Sequence, residues 1–430
     1  MNQLEIALEE VARRRPVSID LGLGRLTRVL ARLDDPYLKL PDTFHVAGTN
    51  GKGSTAAYLR HILEANGARV DVFSSPHLIR YNERIILAGR EIEDAQFLDA
   101  IRRIDRAAGE ADLTFFEMLT GAAFLVFSES SANFLILEVG LGGRLDATNV
   151  IGRSVAAIIT PVALDHQNFL GDNVVDIAKE KAGIFRRNVP AVIGPQTADV
   201  MAALRHEAVA AGARPFGFGA EWSTWSEHGR LIFQDLAGLS DLAPPKMVGA
   251  HQLQNAALAV AAIRAADVKA SDDVISIGLQ TATWPARMQR LKSGPLVEKI
   301  SCRTGAEIWL DGGHNPHAAR ALTQVAADME ERDPKPLILI VGMQQNKDAE
   351  AFFREFAGLA ALACTVQAAH PGAYSAADLS SIAVNAGMAS RPFRTIEQAI
   401  NFVLDTRDAA VRIIICGSLY LAGEVLRANA

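Results

Sequence analysis

A strand that runs straight into glycines and then into a helix leaves a chain few folds to choose from, and residues 43–65 read that way. Thr43–Ala47 is an apolar run with strand character, Gly48-Thr49-Asn50-Gly51-Lys52-Gly53 follows, and Ser54–Ala65 has helical spacing that stops at Asn66-Gly67. Such a unit belongs in a parallel sheet covered by helices. Glycines in that turn let backbone N–H groups close around an anion, and the helix start adds partial positive charge.

The same alternation continues along the chain. Strands are expected at Arg69–Phe73, Asn133–Val139, Val155–Thr160 and Pro190–Ile193, with helices at Glu117–Ser128, Val174–Ile184 and His251–Ala266. Phe134-Leu135-Ile136-Leu137 is apolar at every position, as a strand buried on both faces should be. Short β-like pieces fill Trp222–Lys246, and Trp284–Gly305, mixed in Pro, Arg, Lys, Ser and Gly, reads as a junction. Beyond it strands at Glu307–Leu310, Pro336–Val341, Thr365–Ala368 and Val411–Cys416 alternate with helices at Pro316–Glu330, Ala349–Ala360, Ile396–Asp405 and from Leu419. With 430 residues the chain is too long for one core. The expected fold is α/β: a P-loop-containing parallel-sheet domain over residues 1–285, then a smaller Rossmann-like α/β domain over 286–430.

Composition removes several function classes. Net charge is −6, and the only basic run is Arg13-Arg14-Arg15, so no nucleic-acid partner is expected. Three scattered cysteines (Cys302, Cys364, Cys416) form no disulfide or zinc pattern. No apolar run reaches the ~18–20 residues of a membrane span. Leu4, Ile6, Leu8 and Val11 among charges read as an amphipathic helix rather than a secretory signal. The expectation is a cytoplasmic protein with no membrane partner.

In the glycine-rich segment, Lys52 can reach terminal phosphates, and the Ser54 or Thr55 hydroxyl can ligate Mg²⁺. The pattern departs from GxxxxGK[ST]: Val46 stands five before Gly51, and Gly53 separates Lys52 from Ser54. This variant, GTNGKGST, resembles the nucleotide loop of the folylpolyglutamate synthase/dihydrofolate synthase family within the Mur ligase superfamily. The resemblance runs through Ser74-Ser75-Pro76-His77-Leu78, Tyr81–Ile85, Leu137–Asn149 (LEVGLGGRLDATN), Glu180–Ile184, His251–Ala256, Trp284–Arg287 and Leu310–Pro316. Ala286 stands where such proteins often have glycine.

The resemblance implies an ATP-dependent ligase with ATP as co-substrate and Mg²⁺, two ions expected, as cofactor. It places ATP on Gly48, Thr49, Asn50, Gly51, Lys52, Gly53, Ser54 and Thr55, with Asn255, Arg287, Asp311 and His314 closing over it. Ser54, Glu138, His166 and a carbamylated Lys181 would hold metal, and Lys52, Lys181 and His166 would be catalytic. From residues alone, Glu138 could be a charge leaving its strand end, His166 a loop hydrogen bond and Lys181 a solvated lysine; imidazole is also an unusual ligand for a hard cation. The resemblance further assigns Ser75, Pro76, His77, Arg84, Phe116, Asp146 and Ala147 to a pterin or folate. Phe116 could equally be core, and Asn315-Pro316 reads as a helix cap followed by proline at the first helical position. His317, one turn from His314, has no cysteine or acidic company that would make a zinc site.

Three readings compete. The first adds L-glutamate to dihydropteroate, forming dihydrofolate, and to reduced folates, forming polyglutamates, or performs the second step only. The second is a cell-wall amino-acid ligase of the same superfamily, which would carry a nucleotide-sugar domain ahead of the loop, where 47 residues stand. The third is a nucleotide-dependent switch without ligation. Expected partners are ATP, L-glutamate and the folate substrate, and the expected assembly is a monomer.

Overall fold

The structure is a computed structural model and describes residues 3–14 and 20–429. The chain forms two compact units, Met1–Lys246 with Leu253–Ala282, and Met247–Gln252 with Thr283–Ala430.

The first unit holds strands β1 (Asp42–Ala47), β2 (Val70–Phe73), β3 (Ile85–Leu87), β4 (Arg90–Glu91), β5 (Phe134–Glu138), β6 (Ala156–Ile159), β7 (Pro190–Ile193) and β8 (Arg214–Gly217). They make one sheet in the order β4-β3-β2-β5-β1-β6-β7-β8. Pairing is parallel from β2 to β8 and antiparallel at β2–β3 and β3–β4. Its helices are α1 (Gln3–Arg14), α2 (Gly24–Ala31), α3 (Lys52–Ala65), α4 (Asp94–Ala108), α5 (Phe115–Ser128), α6 (Gln167–Leu170), α7 (Val174–Ala182), α8 (Ala198–Ala210), α9 (Ala250–Ala265) and α10 (Asp272–Thr281). The β-like pieces after Trp222 form a three-stranded antiparallel meander of β9 (Trp222–Glu227), β10 (Arg230–Asp235) and β11 (Gly238–Leu242).

The apolar run of β5 is buried, and each of Leu135 and Leu137 is worth roughly 1.5–3 kcal/mol against exposure. Register places Leu137, His45 and Ala157 side by side across β5, β1 and β6. Leu137 belongs to one apolar cluster and Ala157 to another, so His45 sits at the seam. In α1, Leu4, Leu8 and Val11 are buried but Ile6 is 41% exposed, because only the i, i+4, i+7 positions share a face.

The second unit has β12 (Gln289–Arg290), β13 (Glu307–Leu310), β14 (Leu337–Val341), β15 (Ala360–Thr365), β16 (Ser390–Pro392) and β17 (Arg412–Cys416), in the order β12-β13-β17-β14-β15-β16. All neighbours are parallel except β12. Two neighbouring readings in this unit are wrong. The helix read to Ala360 stops at Arg354, and the strand read at Thr365–Ala368 is β15, Ala360–Thr365. Ala360-Ala361-Leu362-Ala363 has helical composition, and pairing with the buried β14 overrides it. Among the described residues no helix is long and apolar enough to cross a membrane.

Candidate functional site

The chain leaves β1 where the sheet order splits, with β5 on one side and β6 on the other, the place where ligands bind in open α/β sheets. Gly48 has φ +140°, and a Cβ there would lie 1.9 Å from Thr160 Oγ1. Gly51 has φ +91°, and a Cβ there would lie 2.3 Å from Asn255 Oδ1. Both positions therefore require glycine. The turn between them is braced on the segment after β6: Thr49 and Asn50 N–H donate to the Pro161 carbonyl at 3.0 and 3.2 Å, and Thr49 Oγ1 bonds both backbone groups of Ala163. Helix α3 begins at Lys52, two residues earlier than expected, so Gly53 lies buried inside its first turn.

Two lysines converge on this turn. Lys52 Nζ lies 3.3 Å from the Gly48 carbonyl, and Lys181 Nζ, carried by α7, donates to that carbonyl at 2.9 Å. Lys181 is 5% exposed, so it is not the solvated residue its local sequence suggests. Burial, then the Lys52 charge, bring its pKa down to about 7 against the opposing pull of Asp165 and Asp146. Two cations held at one carbonyl make a strongly anion-attracting corner. Thr55 Oγ1 and Thr160 Oγ1, both at this turn, are buried without a hydrogen-bond partner.

Glu138 ends β5 opposite Val46 and is buried, so its charge does not simply run off the sheet. His166 is exposed, has φ +52° and opens the single turn of α6, its N–H bonded to Asp165 Oδ1 at 2.8 Å. Among the described residues no three of His, Cys, Asp and Glu gather as a metal site on their own. A magnesium site here must therefore be mixed, with hydroxyl and phosphate oxygens, which is how Mg²⁺ is usually held beside nucleotides. The glycine cradle and the two orphan hydroxyls fit that requirement.

A second group of residues gathers around the loop after β5. A Cβ on Gly140 would lie 2.5 Å from Phe116 Cζ, so the half-buried ring lies directly against this backbone. Asp146, buried, accepts from Leu141 N–H at 2.9 Å, Thr148 N–H at 3.0 Å and Thr148 Oγ1 at 2.6 Å. Burial pushes its carboxyl pKa up, and these bonds pull against that. Because the Thr148 hydroxyl hydrogen goes to Asp146, the 3.0 Å bond from His45 Nε2 to Thr148 Oγ1 carries the imidazole proton. His45, its pKa lowered to about 3 by burial and by Arg186, stays neutral. A polar chain thus joins the strand of the phosphate turn to Asp146. Ala147 follows it, buried.

The same loop is tied to the Lys181 helix. Arg144 N–H donates to the Glu180 carbonyl at 2.9 Å, Asn149 Nδ2 to the Gly183 carbonyl at 3.1 Å, and Arg186 to Asn149 Oδ1 at 2.6 Å. Nearby, Ser75 and Pro76 share a cis peptide bond, and Arg84 Nε donates to His77 Nδ1 at 2.9 Å. The His77 ring lies 4.2 Å from Tyr81, and Tyr81 lies 5.8 Å from Phe115. Thr160, His45, Asn149 and Arg186 were not singled out from sequence. Only the hydroxyl at the end of a strand, Thr160, carried a local signal.

The remaining expected residues lie in the second unit. Asp311, just after β13, accepts from Met288 N–H at 2.8 Å and Gly313 N–H at 2.7 Å. Arg287 donates to the Ala286 carbonyl at 2.9 Å and His314 Nδ1 to the Gly312 carbonyl at 2.9 Å. Ala286 has φ +53°, which explains why glycine is the easier residue there. Asn315 caps the next helix by accepting from Ala318 N–H at 2.9 Å.

A parallel sheet with a phosphate-type turn at its switch point, followed by a second α/β unit, is the architecture of a nucleotide-binding protein. The Mur ligase middle domain model matches residues 46–263, and the Mur ligase glutamate ligase domain model matches 296–419. The dihydrofolate synthase/folylpolyglutamate synthase of Escherichia coli is 34% identical over 95% of this chain and 91% of its own length. The Escherichia coli structure in complex with DHPP and ADP superposes with a TM-score of 0.88 at 32% identity, covering 99% of this chain and 97% of that one. A bifunctional folylpolyglutamate synthase/dihydrofolate synthase with Mn, AMPPNP and L-glutamate bound gives 0.87 at 33% identity, covering 100% and 98%. The chain belongs to the Mur ligase family, in its dihydrofolate synthase/folylpolyglutamate synthase branch. It is an ATP-dependent amino-acid ligase by that membership.

Proposed function

We propose that this chain joins L-glutamate to dihydropteroate and, at the same site, to the γ-carboxylate of reduced folates, with ATP as co-substrate. The supporting observation is the meeting, beside one sheet, of the glycine turn with Lys52 of α3 and buried Lys181 of α7, together with the Phe116–Asp146 group around the loop after β5. A carboxylate is a poor electrophile, so the γ-phosphoryl of ATP first passes to a substrate carboxylate oxygen and ADP leaves. The glutamate amine then attacks the acyl carbon, forming the C–N bond; the acyl C–O bond breaks with its electrons leaving on phosphate, and the nitrogen gives up a proton to solvent.

The turn from Gly48 to Thr55 would hold the phosphates by backbone N–H groups, and Lys52 would face the oxygens on which charge builds. Ser54, Glu138, His166 and carbamylated Lys181 would hold Mg²⁺, which when bound supplies positive charge to those same oxygens. Asn255, packed on Gly51, would contact the nucleotide, and Arg287, Asp311 and His314 are proposed nucleotide residues as well. Ser75, Pro76, His77, Arg84, Phe116, Asp146 and Ala147 would take the pterin. The chain acts as a monomer in the cytoplasm, where the free thiols Cys302, Cys364 and Cys416 stay reduced.

ADP release by purified protein, with glutamate and either dihydropteroate or tetrahydrofolate, tests this directly. Turnover with both is expected, and with neither the folate reading is lost. Replacing Glu138 or His166 by Ala should raise the Mg²⁺ concentration for half-maximal rate by about 10–100-fold. An unchanged Mg²⁺ titration removes that residue from the ligand set. Asp146→Ala should raise KM for dihydropteroate by about tenfold and affect tetrahydrofolate less, since the two substrates differ in reach by one glutamyl unit, ~4–5 Å. Equal losses on both would mean one shared ring position.

A further inference from the structure

We propose that Arg25 is a positioning residue for the ring end of the substrate, an inference that rests on the folate reading above. Its guanidinium ties three segments together. Arg25 Nε lies 3.3 Å from both carboxylate oxygens of Glu117, and its terminal nitrogens hold the Asp20 carboxylate and, at 2.7 Å, the Asp20 carbonyl. Glu117 is buried in the first turn of α5, one residue after Phe116.

That turn needs no help to be a helix start. Thr114 caps it by accepting from Glu117 N–H at 3.2 Å, and Glu117 accepts from Thr114 N–H at 2.7 Å, so the cap is already reciprocal. Arg25 adds lateral placement instead. Leu26 next to it shares an apolar cluster with Ala147, and Phe115 and Phe116 pack against that cluster. Helix α2 also touches α5 and the short 3₁₀ helix Ala147–Val150 that Asp146 caps. A forked cation therefore fixes where the turn carrying Phe116 stands against the segments carrying Asp146 and Asp20. The phosphate turn is braced instead by Thr160, Pro161, Ala163 and Asn255.

Loss of the fork should accordingly move one substrate and spare the others. For Arg25→Ala, KM for dihydropteroate is expected to rise about tenfold or more, as small misplacements of positioning groups do. KM for ATP and for glutamate should stay at the wild-type values. Arg25→Lys should not rescue, because a single ammonium cannot bridge Glu117 and Asp20 in one plane. Arg25→Gln, which keeps most of the stem and a neutral amide but no forked cation, gives the same comparison if the alanine variant does not fold. Equal rises in all three KM values, or no change in any, overturn the proposal. Failure of the folate reading would show separately, as wild-type protein that turns over neither dihydropteroate nor tetrahydrofolate.

Discussion

Lys181→Ala should lower kcat by about 10³-fold while leaving a folded protein, the size of effect seen when one preorganised charge is taken from a reacting phosphoryl or acyl centre. As an ammonium Lys181 is an awkward resident: buried, bonded to the Gly48 carbonyl and repelled by Lys52. Its neutral amine can add CO₂, forming a carbamate and releasing one proton, and the corner then holds an anion beside the Lys52 cation in place of a second ammonium. Removing the side chain loses that anion but also ends a costly burial of charge, so the thermal midpoint should move by no more than about 4 °C. Acetate or formate should restore part of the rate by standing where the carbamate stood. Carbon-13-labelled bicarbonate should give a carbamate carbonyl resonance in the wild type and none in the variant. Full activity in Lys181→Ala, or no such resonance in active wild-type protein, would refute the carbamate.

Lys52→Ala is the second large effect, with kcat for ligation expected to fall by about 10²–10³-fold. Among the described residues Lys52 Nζ bonds the Gly48 and Thr49 carbonyls, at 3.3 and 3.4 Å, and no apolar cluster includes it, so its loss removes no core packing. Circular dichroism and the thermal midpoint should match wild type. The turn itself should survive, because Gly48 and Gly51 are seated against Thr160 and Asn255 rather than against the lysine. Lys52→Arg should not restore the rate, since a broad planar guanidinium cannot occupy the site of a compact ammonium. ADP release near the wild-type rate in Lys52→Ala would show that the turn does not handle the transferred phosphoryl group.

The two lysines show how unevenly a site can be read from sequence. Lys52 is legible because strand, glycine turn, cation and helix are contiguous, and each has a local signature. Lys181 is not, because Lys179-Glu180-Lys181 looks like any solvated helix face. Only the resemblance singled it out, and only the fold explains its burial. Asp146 and Thr148 were legible as motif residues, whereas His45 reaches Thr148 across 103 residues because β1 lies beside β5. Arg25 lies 92 residues from Glu117 and carries no signal either.

Periodicity, glycine placement and apolar runs act over a few residues, so the chain alone determined that β1, β5 and β17 are buried strands and that a glycine turn leads from β1 into α3. Sheet order is a different kind of information. It depends on which crossovers let apolar faces close over one another, and placing β1 between β5 and β6 is a decision of the whole packed unit. That decision brings Thr160 and Asn255 to the glycines, buries Lys181 beside Lys52 and strings His45 to Asp146. Tertiary structure decided these because the energies involved, desolvation of a charge and satisfaction of buried polar groups, exist only once distant segments have excluded water between them.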